Sequence, residues 1–279
     1  MRILFFLILF FSLFSIHHPY RASASESLTL WIHPYLPATE LTKRFSPLVK
    51  YLGEQLNRTI SIRVQQSYHA HLDFVGRNQA DIAYLGPVTY VRLKDQYGTK
   101  PLLAKLEVKG SPFFHGMIIV REDSGINALA DLVGKSFAFG DPNSTMSHIV
   151  PRGMLRNAGT TIDKLQRHDF LNSHHNVALA VMGGYFDAGG VKEEVFYEFE
   201  KKGLKMIAKS PPIPEHLFVA RTSLPQDLIS QIRSHLINID KSPDKETILG
   251  SIKSSITNLL PVADQDYDPL RDIIKSLDI

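Results

Sequence analysis

The stretch Lys135-Ser-Phe-Ala-Phe-Gly-Asp-Pro-Asn-Ser-Thr-Met-Ser-His-Ile-Val-Pro151 does most to limit what this chain can fold into. Phe137-Ala-Phe139 reads as the end of a buried strand, and Gly140-Asp141-Pro142 forces a turn. Asn143, Ser144 and Thr145 then suit the N-cap of a following helix. The first N–H groups of a helix lack intrahelical partners, and the macrodipole puts positive partial charge there. Hydroxyls added to that end would wrap a tetrahedral oxyanion without a lysine. An ordinary capped helix carries the same residues, so the remainder of the chain decides between the two readings.

Strand and helix patterns alternate on both sides of this stretch. Leu28–Ile32 predicts a strand and His33-Pro-Tyr-Leu-Pro37 a rigid turn. Leu41, Phe45, Leu48, Val49, Leu52 and Leu56 recur at helical spacing, with Pro47 expected to kink that helix. Residues 60–64 and 80–84 predict strands, and 71–78 and 88–97 helices; strands are expected at 102–108 and 117–120. From Ser124 the alternation begins again, with strands at 136–139, 167–170, 187–191 and 205–208. Helices are expected between them at 145–157, 176–182 and 193–202, and three more at 225–237, 245–249 and 268–277 close the chain.

Such alternation is the signature of doubly wound α/β units. The second unit is inserted in the first, and two extended crossings near Gly116 and Pro214 join them. The predicted fold is a hinged two-lobed α/β clamshell, each lobe a doubly wound mixed sheet flanked by helices, with a ligand in the cleft. The expected parts are a signal peptide at 1–24, lobe 1 from 25–116, lobe 2 from 117–214, and a return to lobe 1 over 215–279. In such sheets ligands lie at the carboxyl ends of strands, where Tyr35, Tyr68 and Tyr84 should sit.

Arg2, the apolar run Ile3–Ile16 and Ala22-Ser23-Ala24 predict a cleaved export signal. The sequence has no cysteine, so an exported chain would carry no disulfide and no lipid on an N-terminal Cys. A freely diffusing periplasmic protein is the expectation. A net charge of +3, with no basic run interleaved with aromatics, makes nucleic acid a poor partner.

The pieces His33-Pro-Tyr-Leu-Pro37, Tyr68-His-Ala-His-Leu72, Ala80-Asp-Ile-Ala-Tyr-Leu-Gly-Pro87 and Gly140-Asp-Pro-Asn-Ser-Thr145 occur in that order. His174 with Asn176-Val-Ala-Leu-Ala-Val181, Asp187-Ala-Gly189 and Lys209-Ser-Pro-Pro-Ile-Pro214 follow. Together they resemble the phosphate/phosphite/phosphonate-type periplasmic binding proteins of ABC transporters, over essentially the whole mature chain. The resemblance implies the periplasmic-binding-protein clamshell (type II) as fold, a small tetrahedral phosphorus oxyanion as ligand, no catalysis, no cofactor, a membrane permease as partner, and a monomer.

In the family's aminoethylphosphonate binders a Ser-Thr-Ser run grips the phosphonate. Here it reads Ser144-Thr145-Met146 followed by Ser147, so the Met146 N–H and the Ser147 hydroxyl are the stand-ins. The resemblance makes His174 and Tyr68 donors to the oxyanion, and puts Phe114 where a second tyrosine stands in the family. Glu194 matches one of two acids that hold the ligand's ammonium, and His216 replaces the other. One carboxylate beside an imidazole is a poor cage for an ammonium once water is excluded. Phosphate, phosphite or methylphosphonate therefore fits better than aminoethylphosphonate, with His216 and His115 as added donors. Asp187 is expected to accept a ligand proton or orient His174, or else to bond backbone N–H groups, and Tyr84 to form a cleft wall.

Three other readings stand beside this one. A hydrolase would recruit Ser144, His174 and Asp187, but Ser144 lies in no Gly-x-Ser-x-Gly elbow. A metal site would need histidines at ligand spacing, which His69-Ala-His71 and His174-His175 do not supply. A clamshell that presents its closed form to a sensor kinase or chemoreceptor is the alternative to transport.

Overall fold

The computed structural model describes residues 27–277, and the expected leader over 1–24 lies outside the described residues. The chain begins β1 (Leu28–Ile32), α1 (Ala38–Leu56), β2 (Ile60–Val64), α2 (Tyr68–Gly76), β3 (Ile82–Leu85), α3 (Pro87–Tyr97) and β4 (Leu102–Val108). A two-residue strand, β5 (Phe113–Phe114), leads into β6 (Gly116–Arg121) and β7 (Ser136–Phe139). Then come α4 (Val150–Asn157), β8 (Arg167–Phe170), α5 (His174–Met182), β9 (Ala188–Lys192), α6 (Glu193–Phe199) and β10 (Leu204–Lys209). The return runs through β11 (Ile213–Pro214), β12 (Leu217–Ala220), α7 (Gln226–Ile237), α8 (Lys245–Ile252), β13 (Ile256–Leu260) and α9 (Asp268–Ser276).

These strands make a six-stranded sheet, β13-β4-β12-β3-β1-β2, and a five-stranded one, β10-β6-β9-β7-β8. β5 and β11 pair antiparallel as a ribbon between them, where the two crossings were expected. The architecture is the two-lobed α/β clamshell. β1 pairs in parallel with β2 and β3, and the returning β12 lies antiparallel between β3 and β4. The apolar stripe of α1 is buried on the first sheet, and the helix runs on through Pro47. β13 was not expected from sequence, because Ile-Thr-Asn-Leu-Leu is short and becomes a strand by pairing with the free edge of β4.

Both sheets fasten the start of their parallel strands in one way. Asp81, just before β3, accepts hydrogen bonds from the Thr29 N–H and Oγ1 at 2.8 and 2.6 Å. Asp187, just before β9, accepts from the Ser136 N–H and Oγ at 2.9 and 2.7 Å. The sequence shows no repeat, yet each lobe carries the same carboxylate staple, between residues 52 apart in one and 51 in the other. Strands run from that end toward the cleft, so their carboxyl ends are what the site is built on.

The segment after β7 departs from a regular helix start. The Ile149 N–H reaches the Ser144 carbonyl at 3.1 Å, an i→i+5 bond, so residues 145–149 form a π-helical turn before α4. Pro151 has no N–H to give back to the Ser147 carbonyl. That carbonyl accepts the Gly140 N–H at 2.9 Å, folding the strand end onto the helix start. The approach is close: a Cβ on Gly140 would stand 2.6 Å from Ser147 Oγ.

Candidate functional site

Several helix starts meet in the gap between the sheets. Ser67 caps α2 by accepting the Ala70 N–H at 3.1 Å, so the helix begins at Tyr68, three residues earlier than expected. Ser173 accepts the Asn176 N–H at 3.1 Å and makes His174 the first residue of α5. Ser144 caps the π-helical turn by accepting the Ser147 N–H at 3.2 Å, and Gly86 precedes α3. Tyr68, Gly86, Ser144 and His174 all line one cavity of about 230 Å³. Drug-sized ligands need roughly 300–1,000 Å³, so this one suits a small solute.

At one end of the cavity the donors are uncharged. His174 Nδ1 accepts the Lys192 N–H at 3.0 Å, which leaves the proton of the neutral imidazole on Nε2. Burial, then the positive charge of Lys192, hold His174 well below its usual value, so it is neutral at pH 7. Its Nε2 lies 3.5 Å from Ser144 Oγ. Thr145 Oγ1 accepts the Val88 N–H of α3 at 3.1 Å, a bond between the lobes. Asn143 Oδ1 likewise accepts from Arg92 of α3.

Opposite stands a wall of stacked rings. His33 and Tyr84 lie 5.3 Å apart at 18°, and His216 stacks on both at 5.5 Å, with 12° and 14° between planes. Phe114 leans on His216 at 5.4 Å. His33 Nδ1 donates to the Tyr84 carbonyl at 3.2 Å, and His216 Nδ1 donates to Glu215 at 3.0 Å. Burial, then the charges of His216 and His71, keep His33 well below its usual value. Burial raises the Tyr68 and Tyr84 hydroxyls, so both stay protonated.

The other end is charged. Glu194 Oε2 lies 2.9 Å from Lys192 Nζ and 2.8 Å from Lys253 Nζ. Burial alone would raise the Glu194 carboxyl, but Lys192 and Lys253 outweigh it and pull it to about 2. A depressed carboxylate adds stability above its ordinary value of 4.5 and loses it as the pH falls toward 2. The melting temperature of Glu194→Gln should therefore lie below that of the native chain at neutral pH, with the gap closing on acidification. A gap that does not change with pH would contradict the pairing. The effect is modest, since the group is about one third exposed.

Ten of the expected side chains or their elements meet at this cavity: Tyr35, Tyr68, Tyr84, Phe114, Ser144, Thr145, Met146, His174, Glu194 and His216 all line it. Three do not. Asp187 sits at the opposite end of its strand, held by Ser136. The Ser147 hydroxyl turns away and donates to the Gly190 carbonyl, so it restores no donor to the cleft. His115 Nδ1 is occupied by the Ser210 carbonyl at 2.8 Å, beside the ribbon. Sequence reasoning missed His33, Lys192, Glu215 and Lys253. His33 ends β1 beside Tyr35, a position that could have flagged it. Lys253 follows α8 with no local signal at all.

These contacts also dispose of the hydrolase arrangement. His174 Nδ1 accepts a proton donor where a triad would have it donate to Asp187, and Asp187 is elsewhere. Among the described residues no three His, Asp or Glu side chains gather to hold a metal ion. No helix among them is long and apolar enough to cross a membrane.

The family model for the periplasmic substrate-binding protein of phosphonate ABC transporters matches residues 30–267. The chain is 26% identical over 274 residues to the phosphate-import protein PhnD of Mycolicibacterium smegmatis, spanning 89% of this chain and 85% of that one. It is 27% identical over 251 residues to the phosphonates-binding periplasmic protein of Escherichia coli, spanning 86% and 74%. PhnD1 from Prochlorococcus marinus, solved in complex with methylphosphonate, superposes with a TM-score of 0.80 at 21% identity, covering 90% of this chain and 98% of that one.

Proposed function

This chain belongs to the family of periplasmic substrate-binding proteins of phosphonate ABC transporters, and from that premise we propose that it captures phosphate, phosphite or a short phosphonate for import. The relatives it matches are binding proteins, not enzymes, so its partners are a small ligand and a membrane permease. One observation carries the choice of ligand. His174, neutral and fixed as an Nε2–H donor, faces Ser144 at a helix start, where the first amides lack intrahelical partners and the dipole favours an anion.

The opposite wall supports phosphorus over sulfur. His33 and, in its neutral form, His216 donate through Nδ1 and so offer Nε2 as an acceptor. An oxyanion that keeps a proton near pH 7, as phosphate and phosphonates do, satisfies such a mixed set. Sulfate carries no proton to give. Ser144, Thr145, the Met146 N–H, His174 and Tyr68 hold the anion, while Tyr35, Tyr84, Phe114 and His216 wall it in. Residues 117–214 rotate as one lobe against 25–116 and 215–279 about the β5–β11 ribbon, and the closed form engages the permease. Cleavage after residue 24 with no lipid leaves the mature chain free in the periplasm.

A thermal-shift panel of phosphate, phosphite, methylphosphonate, aminoethylphosphonate, sulfate and molybdate tests this. A ligand at 100 times its dissociation constant adds about 2.7 kcal/mol, or roughly 5–10 °C for a chain of this length. Phosphate, phosphite or methylphosphonate should give the largest rise and sulfate little. Equal small shifts from all six would sink the proposal.

A further inference from the structure

Three carboxylates line the cavity, and each already has a partner. Glu215 Oε2 takes the His216 N–H and Nδ1 at 3.1 and 3.0 Å, and Glu198 meets His175 at 2.9 Å. Glu194 is held by Lys192 of its own lobe and by Lys253, which reaches across from the lobe that carries α8 and β13. Arg44 lines the same cavity, with its Nε on Glu40 at 2.8 Å. An ammonium-bearing ligand would find no carboxylate there without a basic side chain already beside it. To seat itself on Glu194 it would have to displace the Lys253 ammonium, or crowd three cations around one anion.

We propose that Lys253 is a specificity-determining residue: its ammonium fills the acceptor that a cationic ligand tail would need. The cleft therefore takes phosphorus oxyanions whose far end is uncharged or negative and rejects aminoalkylphosphonates. This rests on the oxyanion reading above. The rejection works by competition. The protein brings its own ammonium to Glu194 from the opposite lobe, and every cationic ligand must pay to remove it before gaining anything. The same contact joins the lobes, so closure and discrimination use one ion pair.

Calorimetric titration of methylphosphonate and 2-aminoethylphosphonate into the native chain, Lys253→Met, Lys253→Arg and Lys253→Met/Glu194→Gln tests the role. The native chain should favour methylphosphonate by about tenfold or more, and Lys253→Met should move that ratio toward the amine by about tenfold. Lys253→Arg should keep the native ratio, and adding Glu194→Gln should erase the gain. A native chain that binds both ligands equally, or a ratio unmoved in Lys253→Met, overturns the role of Lys253 alone. A native chain that binds neither of these ligands, nor phosphate nor phosphite titrated beside them, overturns the oxyanion reading with it.

Discussion

Replacing Ser144 with alanine and Thr145 with valine together is expected to weaken oxyanion binding by roughly two to four orders of magnitude. A hydrogen bond to a charged partner contributes about 1.5–3 kcal/mol, and this variant removes two. Both hydroxyls are positioned to donate because their oxygens are already used as acceptors. Ser144 Oγ takes the Ser147 N–H and Thr145 Oγ1 takes the Val88 N–H. The valine also leaves the Val88 N–H unpaired in a buried place, which weakens lobe closure as well as the direct contact. Calorimetry with phosphate or methylphosphonate measures the loss. A dissociation constant equal to that of the native chain would show that the anion lies elsewhere.

Phe139→Ala should have the largest effect on stability, about 3–5 kcal/mol, because a fully buried aromatic is replaced by a cavity. At ~2–4 °C per kcal/mol for a chain of this length, the melting temperature falls by roughly 6–20 °C. Phe139 ends β7 immediately before the anion-holding turn and packs on Phe137 at 4.6 Å, His148 at 5.1 Å and Phe170 at 5.6 Å. His148 Nδ1 in turn donates to the Pro142 carbonyl at 2.7 Å, so the turn rests on that aromatic cluster. Affinity should drop along with stability. A melting temperature within a degree or so of native would mean the cluster repacks without loss.

Most of the sheet strands, β13 excepted, and the helix between 145 and 157 are legible because their residues are locally consistent: buried apolar runs, Gly-Pro turns, hydroxyl caps. The starts of α2 and α5 fall earlier than their apolar spacing predicts, because Ser67 and Ser173 cap them. For Asp187 two readings stay open in the sequence, and its bond from the Ser136 N–H matches the second, a partner among backbone amides. Sequence puts it at a strand end without saying which end faces the ligand, and the carboxylate belongs to the staple at the far one. The cationic end of the cleft was the least legible part. Lys192 and Lys253 are 61 positions apart and are brought together on Glu194 only by the tertiary fold.

The place of β12 has a consequence for how the chain acquires its shape. All strands of the five-stranded sheet come from one uninterrupted run, 116–209, so its pairings can form as soon as that run is free to fold. The six-stranded sheet has β12 at its middle, between β4 and β3, and cannot close until about a hundred intervening residues are out of the way. Contacts so distant in sequence form slowly. The inserted lobe should therefore nucleate first, leaving the N-terminal strands to wait, half-assembled, for their missing centre.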